Sequence, residues 1–397
     1  MSDQTSLLDA FRKNNFEEAK NLLDNKENIP SDLKEFERIQ LFDTLIRGKA
    51  YDIILIFLDN GLIEKDVYEY DSFKGSLFES IFKWMAVDEE SINFLDTLLP
   101  QLENIDDEIQ DQTLLGLAIE EGAAAEVITS LINAGCSANY VNNAEQNYLH
   151  QLVRNNRINP EKAAAMLQLL IDEGVDVNAA DIERKSPLLL AISNNKKQLI
   201  PILLENNASC NQQDKSGESP YYFVVVHLQD FALYKQMKEY EMPDFTLQTK
   251  NGETILYEYI RRLNRPTETA LQFLAQLISD GADVLQPSMW YSKEATPLAR
   301  ATEQPIDVFK TVIDLTDIDI NTAVDAQGNT LLHLVCAYNI NFDKDQARDT
   351  YRKVKLLLEK GADPSLVNSQ DQTALTLASG DNLKIKTVEL LMSSSAS

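Results

Sequence analysis

The chain of 397 residues is short of several things, and each shortage excludes something. Its three cysteines, Cys136, Cys210 and Cys336, lie far apart with no CxxC, which argues against a disulfide framework and for a reducing, cytoplasmic setting. Thirteen glycines and twelve prolines are too few for a collagen-like or low-complexity chain. The strongly apolar runs, such as Ile53 to Leu58, are far too short to span a bilayer. The opening MSDQTSLLDAFRKNNFEEA has no basic start followed by an apolar run, so no secretory signal is read. The three histidines, His150, His227 and His333, have no ligand spacing, and no GxSxG, P-loop, HExxH or GxGxxG stands in a supporting context. Positive charge is short too. With 36 Lys and Arg against 63 Asp and Glu, the formal net charge is -27, which works against binding nucleic acid or anionic membrane.

What is present is a period. The stretch LLIDEGVDVNAADIERKSPLLLAI, residues 169–192, ends one helical pattern at Gly174, runs through a polar turn and opens another helix at Ser186. Equivalent starts recur at Thr5, Gln40, Gly75, Thr113, Asn147, Ser186, Ser219, Thr254, Thr296, Thr330 and Thr373, spaced 33 to 43 residues apart. Self-similarity at this period is the signature of a stacked solenoid. A Ser or Thr at the start caps orphan N–H groups, and a Pro after it gives up no bond it would have made. The Leu that follows points into the stack. Leu pairs (Leu22-Leu23, Leu98-Leu99, Leu169-Leu170, Leu203-Leu204, Leu357-Leu358, Leu390-Leu391) are expected on the buried face of each second helix. Gly61, Gly135, Gly174, Gly281 and Gly361, with Asn207 in the same place, then end that helix in a left-handed turn. Insertions separate the two helices at 155–161 and 263–267. A third, at 339–353, is predicted to lengthen a second helix capped by Asp343. Residues 1–110 keep the helical pattern but lose this punctuation. They are expected to form helix pairs with irregular fingers and to fray first.

The pattern resembles the ankyrin repeat family. The marker Thr-Pro-Leu-His is matched as TPLA from Thr296, TLLH from Thr330, SPLL from Ser186, NYLH from Asn147 and TLLG from Thr113. The closing Gly-Ala-Asp is intact at Gly281–Asp283 and Gly361–Asp363, and appears as Gly-Val-Asp at Gly174 and Gly-Cys-Ser at Gly135. The resemblance implies an all-α solenoid of about eleven helix-turn-helix units with β-turn fingers. It would be one elongated, curved domain over 1–397, degenerate in 1–110, clearer in 111–397 and capped by 373–397. It implies a monomeric, non-enzymatic scaffold, without cofactor or metal, that binds a protein partner through its concave face and finger loops. His150 and His333 would hold the family's structural hydrogen-bonding position. The acidic, insertion-rich repeats resemble bacterial stand-alone ankyrin proteins. These include effectors delivered into the host cytoplasm, and acidic immunity proteins that occlude a basic toxin or enzyme. The finger around Asn178 also matches the context in which that asparagine can be hydroxylated in animal cells.

Two features stand out as candidate partner-binding sites. From Trp84 to Val153 there is no Lys or Arg, while Asp106, Asp107, Glu108, Asp111, Glu120 and Glu121 supply negative charge that would steer a basic partner. Aromatic and sulfur side chains also fall at finger positions, where polar residues are usual: Tyr68 and Tyr70, Tyr140, and Met289, Trp290 and Tyr291 in a lengthened finger. Such residues are frequent binding hot spots. The expectation for Trp290→Ala is weaker binding at an unchanged melting temperature.

Overall fold

Short polar side chains start the helices. Thr113, Asn147, Ser186, Ser219, Thr296 and Thr373 are each an N-cap whose side chain accepts a backbone N–H three residues on. Such a cap stabilises a helix by about 1 kcal/mol. Thr254 and Thr330 hold the same place differently. The Thr330 hydroxyl bonds His333 Nδ1 at 2.8 Å, and the Thr254 hydroxyl is buried without a partner.

The three earliest starts differ from expectation. Thr5 lies outside the described residues, and the first helix is capped by Ser6. The second repeat starts at Lys34 rather than Gln40, because Glu37 reaches back to the Lys34 N–H and opens the helix six residues earlier. The third is capped by Ser76, not Gly75.

The computed structural model describes residues 6–24, 34–291 and 293–394, and the chain divides into two bodies, 1–209 and 210–397. The first body holds six helix pairs: α1 (Leu7–Arg12) with α2 (Phe16–Asp24), α3 (Glu35–Arg47) with α4 (Tyr51–Asp59), α5 (Leu77–Trp84) with α6 (Glu89–Leu98), α7 (Leu114–Glu121) with α8 (Ala125–Asn133), α9 (Tyr148–Arg154) with α10 (Pro160–Asp172), and α11 (Pro187–Ser193) with α12 (Leu199–Glu205). The second holds five: α13 (Pro220–Tyr222) with α14 (Phe231–Lys238), α15 (Ile255–Arg261) with α16 (Glu268–Ser279), α17 (Pro297–Ala301) with α18 (Ile306–Leu315), α19 (Leu331–Ala337) with α20 (Lys344–Glu359), and α21 (Ala374–Ala378) with α22 (Ile385–Ser394). Asp343 caps α20, as its sequence predicts. Pro100 lies in the 3-10 turn that closes α6. Two local features were not anticipated. A π-helical turn, Phe223–Leu228, continues α13, and the long finger of repeat eight is a hairpin of β1 (Ser288–Trp290) and β2 (Lys293–Ala295).

First helices pack on first helices and second on second. In the first body α3, α5, α7, α9 and α11 follow one another, as do α6, α8, α10 and α12. In the second, α14, α16, α18, α20 and α22 form one layer, with α15 on α17 and α19 on α21 in the other. The buried face begins directly after each cap, at Leu114, Tyr148, Pro187, Ile255, Pro297 and Leu331, and continues through the next residue. The Leu pairs need a correction. Both members are buried at Leu98-Leu99 and Leu203-Leu204, but only Leu170, Leu357 and Leu391 of their pairs, and neither Leu22 nor Leu23. Neighbouring residues on a helix point about 100° apart, so two adjacent leucines are both covered only where the neighbouring helices wrap further round. All five closing glycines and Asn207 take the left-handed conformation that lets the chain turn off the second helix into its finger.

Candidate functional site

The fingers are where the surface is built, and their backbone is held by side chains. Five residues before the cap stands Asn142, Asp181, Asp214, Thr249, Asp325 or Asn368. Each accepts N–H groups two and four residues further on, closing the finger turn. Adjacent fingers are then bolted together by an asparagine. Asn178 donates to Asn207 O and accepts from Ser209 N–H, and Asn211 does the same with Met242 and Asp244. Asn321 repeats the arrangement with Gly361 and Asp363. The amide of the hydroxylation candidate Asn178 is therefore part of the scaffold.

The histidines and cysteines are also structural. His150 and His333 are buried and link repeats: each Nε2 is 3.0 Å from the carbonyl just before the next cap, Lys185 O and Gln372 O. Burial holds the His150 imidazole below its usual pKa, so it stays neutral. His227 sits in the π-helical turn, with Nε2 3.1 Å from Glu218 and its ring against Phe223. Burial pushes the thiols of Cys136, Cys210 and Cys336 up to about 12, so none is a thiolate at neutral pH. Among the described residues, no three His, Cys, Asp or Glu side chains converge as a metal site.

In the first body a groove of about 720 Å³ lies between α7, α9 and their fingers, and it gathers three of the expected site residues: Asp111, Glu120 and Tyr140. Much of their polar capacity is engaged locally. Tyr140 stacks on Tyr148 at 5.6 Å and donates to Glu108 at 2.8 Å, and Asn143 donates to Asp111. Glu120 accepts from Gln112 at 2.6 Å. Asp106 caps the next finger through Ser137 N–H, and Glu121 lies 3.6 Å from Lys83. Asp107 is half-buried, and its backbone N–H donates to Asn104 O at 3.0 Å. Folding also brings cations to the Lys- and Arg-free stretch: Lys49 pairs with Asp88 and Glu90, and Arg154 and Arg157 line the same groove. Arg154 is itself committed to Asp181, whose side chain is 1% exposed. In the finger of repeat two, Tyr70 packs on Phe73 and Phe78, while Tyr68 is 66% exposed.

In the second body the hairpin brings Met289, Trp290 and Tyr291 together. Its register pairs Met289 with Glu294 and Trp290 with Lys293. Met289 N–H donates to Gly252 O at 2.9 Å, and a Cβ at Gly252 would stand 2.7 Å from Met289 Cγ, so a side chain there would push the hairpin away. The Trp290 ring lies over the Arg261 guanidinium at 3.9 Å. Arg261 forms a two-point bond to buried Glu258, which also holds Arg262. Burial alone would raise the Glu258 carboxyl, but the Arg261 and Arg262 bonds outweigh it and hold the carboxyl below its ordinary value. The tip residue Tyr291 is 85% exposed and in the left-handed region. The root of the hairpin is thus fixed and its aromatic tip projects.

The lysine links between repeats escaped the sequence reading. Lys162 donates to Gly122 O, Lys196 to Asn155 O, Lys353 to Thr302 O, and Lys384 to Cys336 O and Tyr338 O. Each acceptor lies at the carboxyl end of the preceding repeat's first helix. The signal was available as a lysine 40 to 51 residues beyond such an end.

No family model matches the chain. Seventy residues are 34% identical to the transient receptor potential cation channel subfamily A member 1 of Drosophila melanogaster, covering 17% of this chain and only 6% of that protein. The crystal structure of the ankyrin repeat domain of Bcl-3, a member of the IkappaB protein family, matches over 62% of this chain and 97% of its own, with 19% identity and a TM-score of 0.47. A capped first helix, a second helix closed in the left-handed region, and a turn-stabilised finger recur along the chain, which has an all-α repeat fold of the ankyrin type.

Proposed function

We propose that this chain is a non-enzymatic module that binds a protein partner through its fingers and the inner grooves beside them, with the repeat-eight hairpin as the main contact. One observation carries the reading. Tyr291 is 85% exposed on a tip whose root is pinned by Trp290, Arg261 and Glu258. An aromatic held out in water on a pre-ordered support loses little entropy on binding. The reactive side chains support the same reading, since His150 and His333 are bonded to carbonyls and the three cysteines are buried. Tyr68 offers a second projecting ring in the first body. Affinity capture from the native lysate by the full chain and by Tyr291→Ala tests this. A loss of about tenfold or more in retained partner is expected, and equal retention would remove the hairpin from the interface.

The alternative reading, an inhibitor that occludes a basic toxin or enzyme, draws on Asp111 and Glu120 in the first-body groove and on Asp107 beside it. Capture that collapses at high salt and brings down a basic protein would favour it. Delivery as a bacterial effector rests on the resemblance alone. Capture of a host signalling or trafficking protein would favour that reading.

A further inference from the structure

The insertion in repeat ten adds chain of which little is buried. It carries the loop 339–343, anchored by buried Ile340, and the first turns of α20, yet the first buried residue of that sixteen-residue helix is Thr350. None of residues 344–348 is buried. Ordering them has an entropic cost that their own packing does little to offset. What the insertion displays is specific. Phe342 is 93% exposed, and it is held outward by two consecutive non-glycine residues in the left-handed region, Asn341 and Phe342. Beyond it Lys344, Arg348, Arg352 and Lys355 are all exposed. Their spacing places them within an arc of about 80° along about 16 Å of helix. Their compensation is slight. Arg348 meets Asp345 at 3.4 Å and Lys355 meets Glu359 at 3.8 Å, both pairs largely in solvent, while Lys344 and Arg352 have no ion pair among the described residues.

In a chain of net charge -27, four exposed cations in a row beside a projecting ring form a local inversion of sign. We infer that the stripe from Lys344 to Lys355, with Phe342 at its head, is a docking surface for an acidic peptide segment of a protein partner that carries an apolar residue for the ring. Charge complementarity selects the acidic segment. The chain's own negative field selects its size: a short ligand can stay within a Debye length of about 8 Å of the stripe, whereas a duplex or an anionic bilayer extends over the acidic remainder. This surface lies in repeat ten, apart from the repeat-eight hairpin, and does not depend on the function proposed for that hairpin.

The test is fluorescence anisotropy of the full chain with a labelled synthetic peptide of glutamates bearing one central leucine. The same peptide with serine for glutamate is the reference. The acidic peptide should bind saturably and lose affinity with added salt. The double variant Arg348→Glu, Arg352→Glu should weaken it by about tenfold or more, and Arg352→Gln by less. Phe342→Ala should weaken it severalfold without changing its salt dependence. Tyr291→Ala should leave it unchanged. These positions are exposed, so circular dichroism and the melting temperature should stay at wild-type values. No preference for the acidic over the serine peptide, indifference to the charge reversals, or loss with Tyr291→Ala would each overturn the inference. So would tighter binding of phosphatidylserine vesicles or duplex DNA through the same stripe.

Discussion

Glu258 has a single carboxylate, and Arg261 and Arg262 both bond it inside the second body. Its folded pKa lies below the ordinary value of 4.5. The pair therefore adds stability above that value and loses it as the pH falls through the lower, folded one. Urea midpoints should drop on acidification through this range, and Glu258→Gln should flatten that part of the curve while lowering stability at neutral pH. The same cluster revises the expectation for the hairpin. Trp290 covers Arg261, so Trp290→Ala should cost about 0.5–2 kcal/mol of stability in addition to any binding, by loss of the cation–π contact. Tyr291→Ala should cost nothing measurable in a urea titration. The aromatic positions were legible in the sequence as unusual, but which ring projects and which folds back was not. That depends on Arg261, Tyr148 and Phe78, which arrive from other elements.

Helix ends were the most legible elements. From Thr113 on, a short polar residue, a run of apolar ones and a later glycine act locally, so the caps fall where the sequence places them. In the first three repeats a lysine backbone and a glutamate make the second cap, a combination with no side-chain acceptor at the cap itself to notice. The π-helical turn at Phe223–Leu228 and the hairpin are set by how they seat on neighbours, and period alone does not show them. The lysine links are the element-scale device with the clearest energetic consequence. Lys384 is nearly fully buried, and burial lowers its pKa, yet its ammonium satisfies two carbonyls at the end of α19. Lys384→Met should leave both carbonyls unpaired and cost about 1–3 kcal/mol, read from urea unfolding. Leu357→Ala should cost about 2–5 kcal/mol and the half-buried Leu358→Ala clearly less, which separates the two members of that pair.

Across the whole chain, stability in a repeat protein is a sum of repeat terms and nearest-neighbour terms. That each repeat leans chiefly on its neighbours is visible in the finger asparagines, the histidine links and the lysines, all of which reach the adjacent repeat. The reading of residues 1–397 as one domain stands as a proposal beside the two bodies at 1–209 and 210–397. A single calorimetric transition would support it, and two separated transitions would assign each body its own unfolding. Monomeric state is likewise a proposal, open to sedimentation. The amino-terminal repeats should be the least protected, since Ala19 is the one buried residue of α2. The most direct measurement of nearest-neighbour coupling is backbone hydrogen exchange, resolved by peptide mass spectrometry, on the wild type and on Lys384→Met. The expected result is low protection in α1 and α2 of the wild type, and in the variant a loss concentrated in α19, α21 and α22 that leaves α7 to α9 untouched. Equal loss along the entire chain would contradict a structure built from locally coupled repeats.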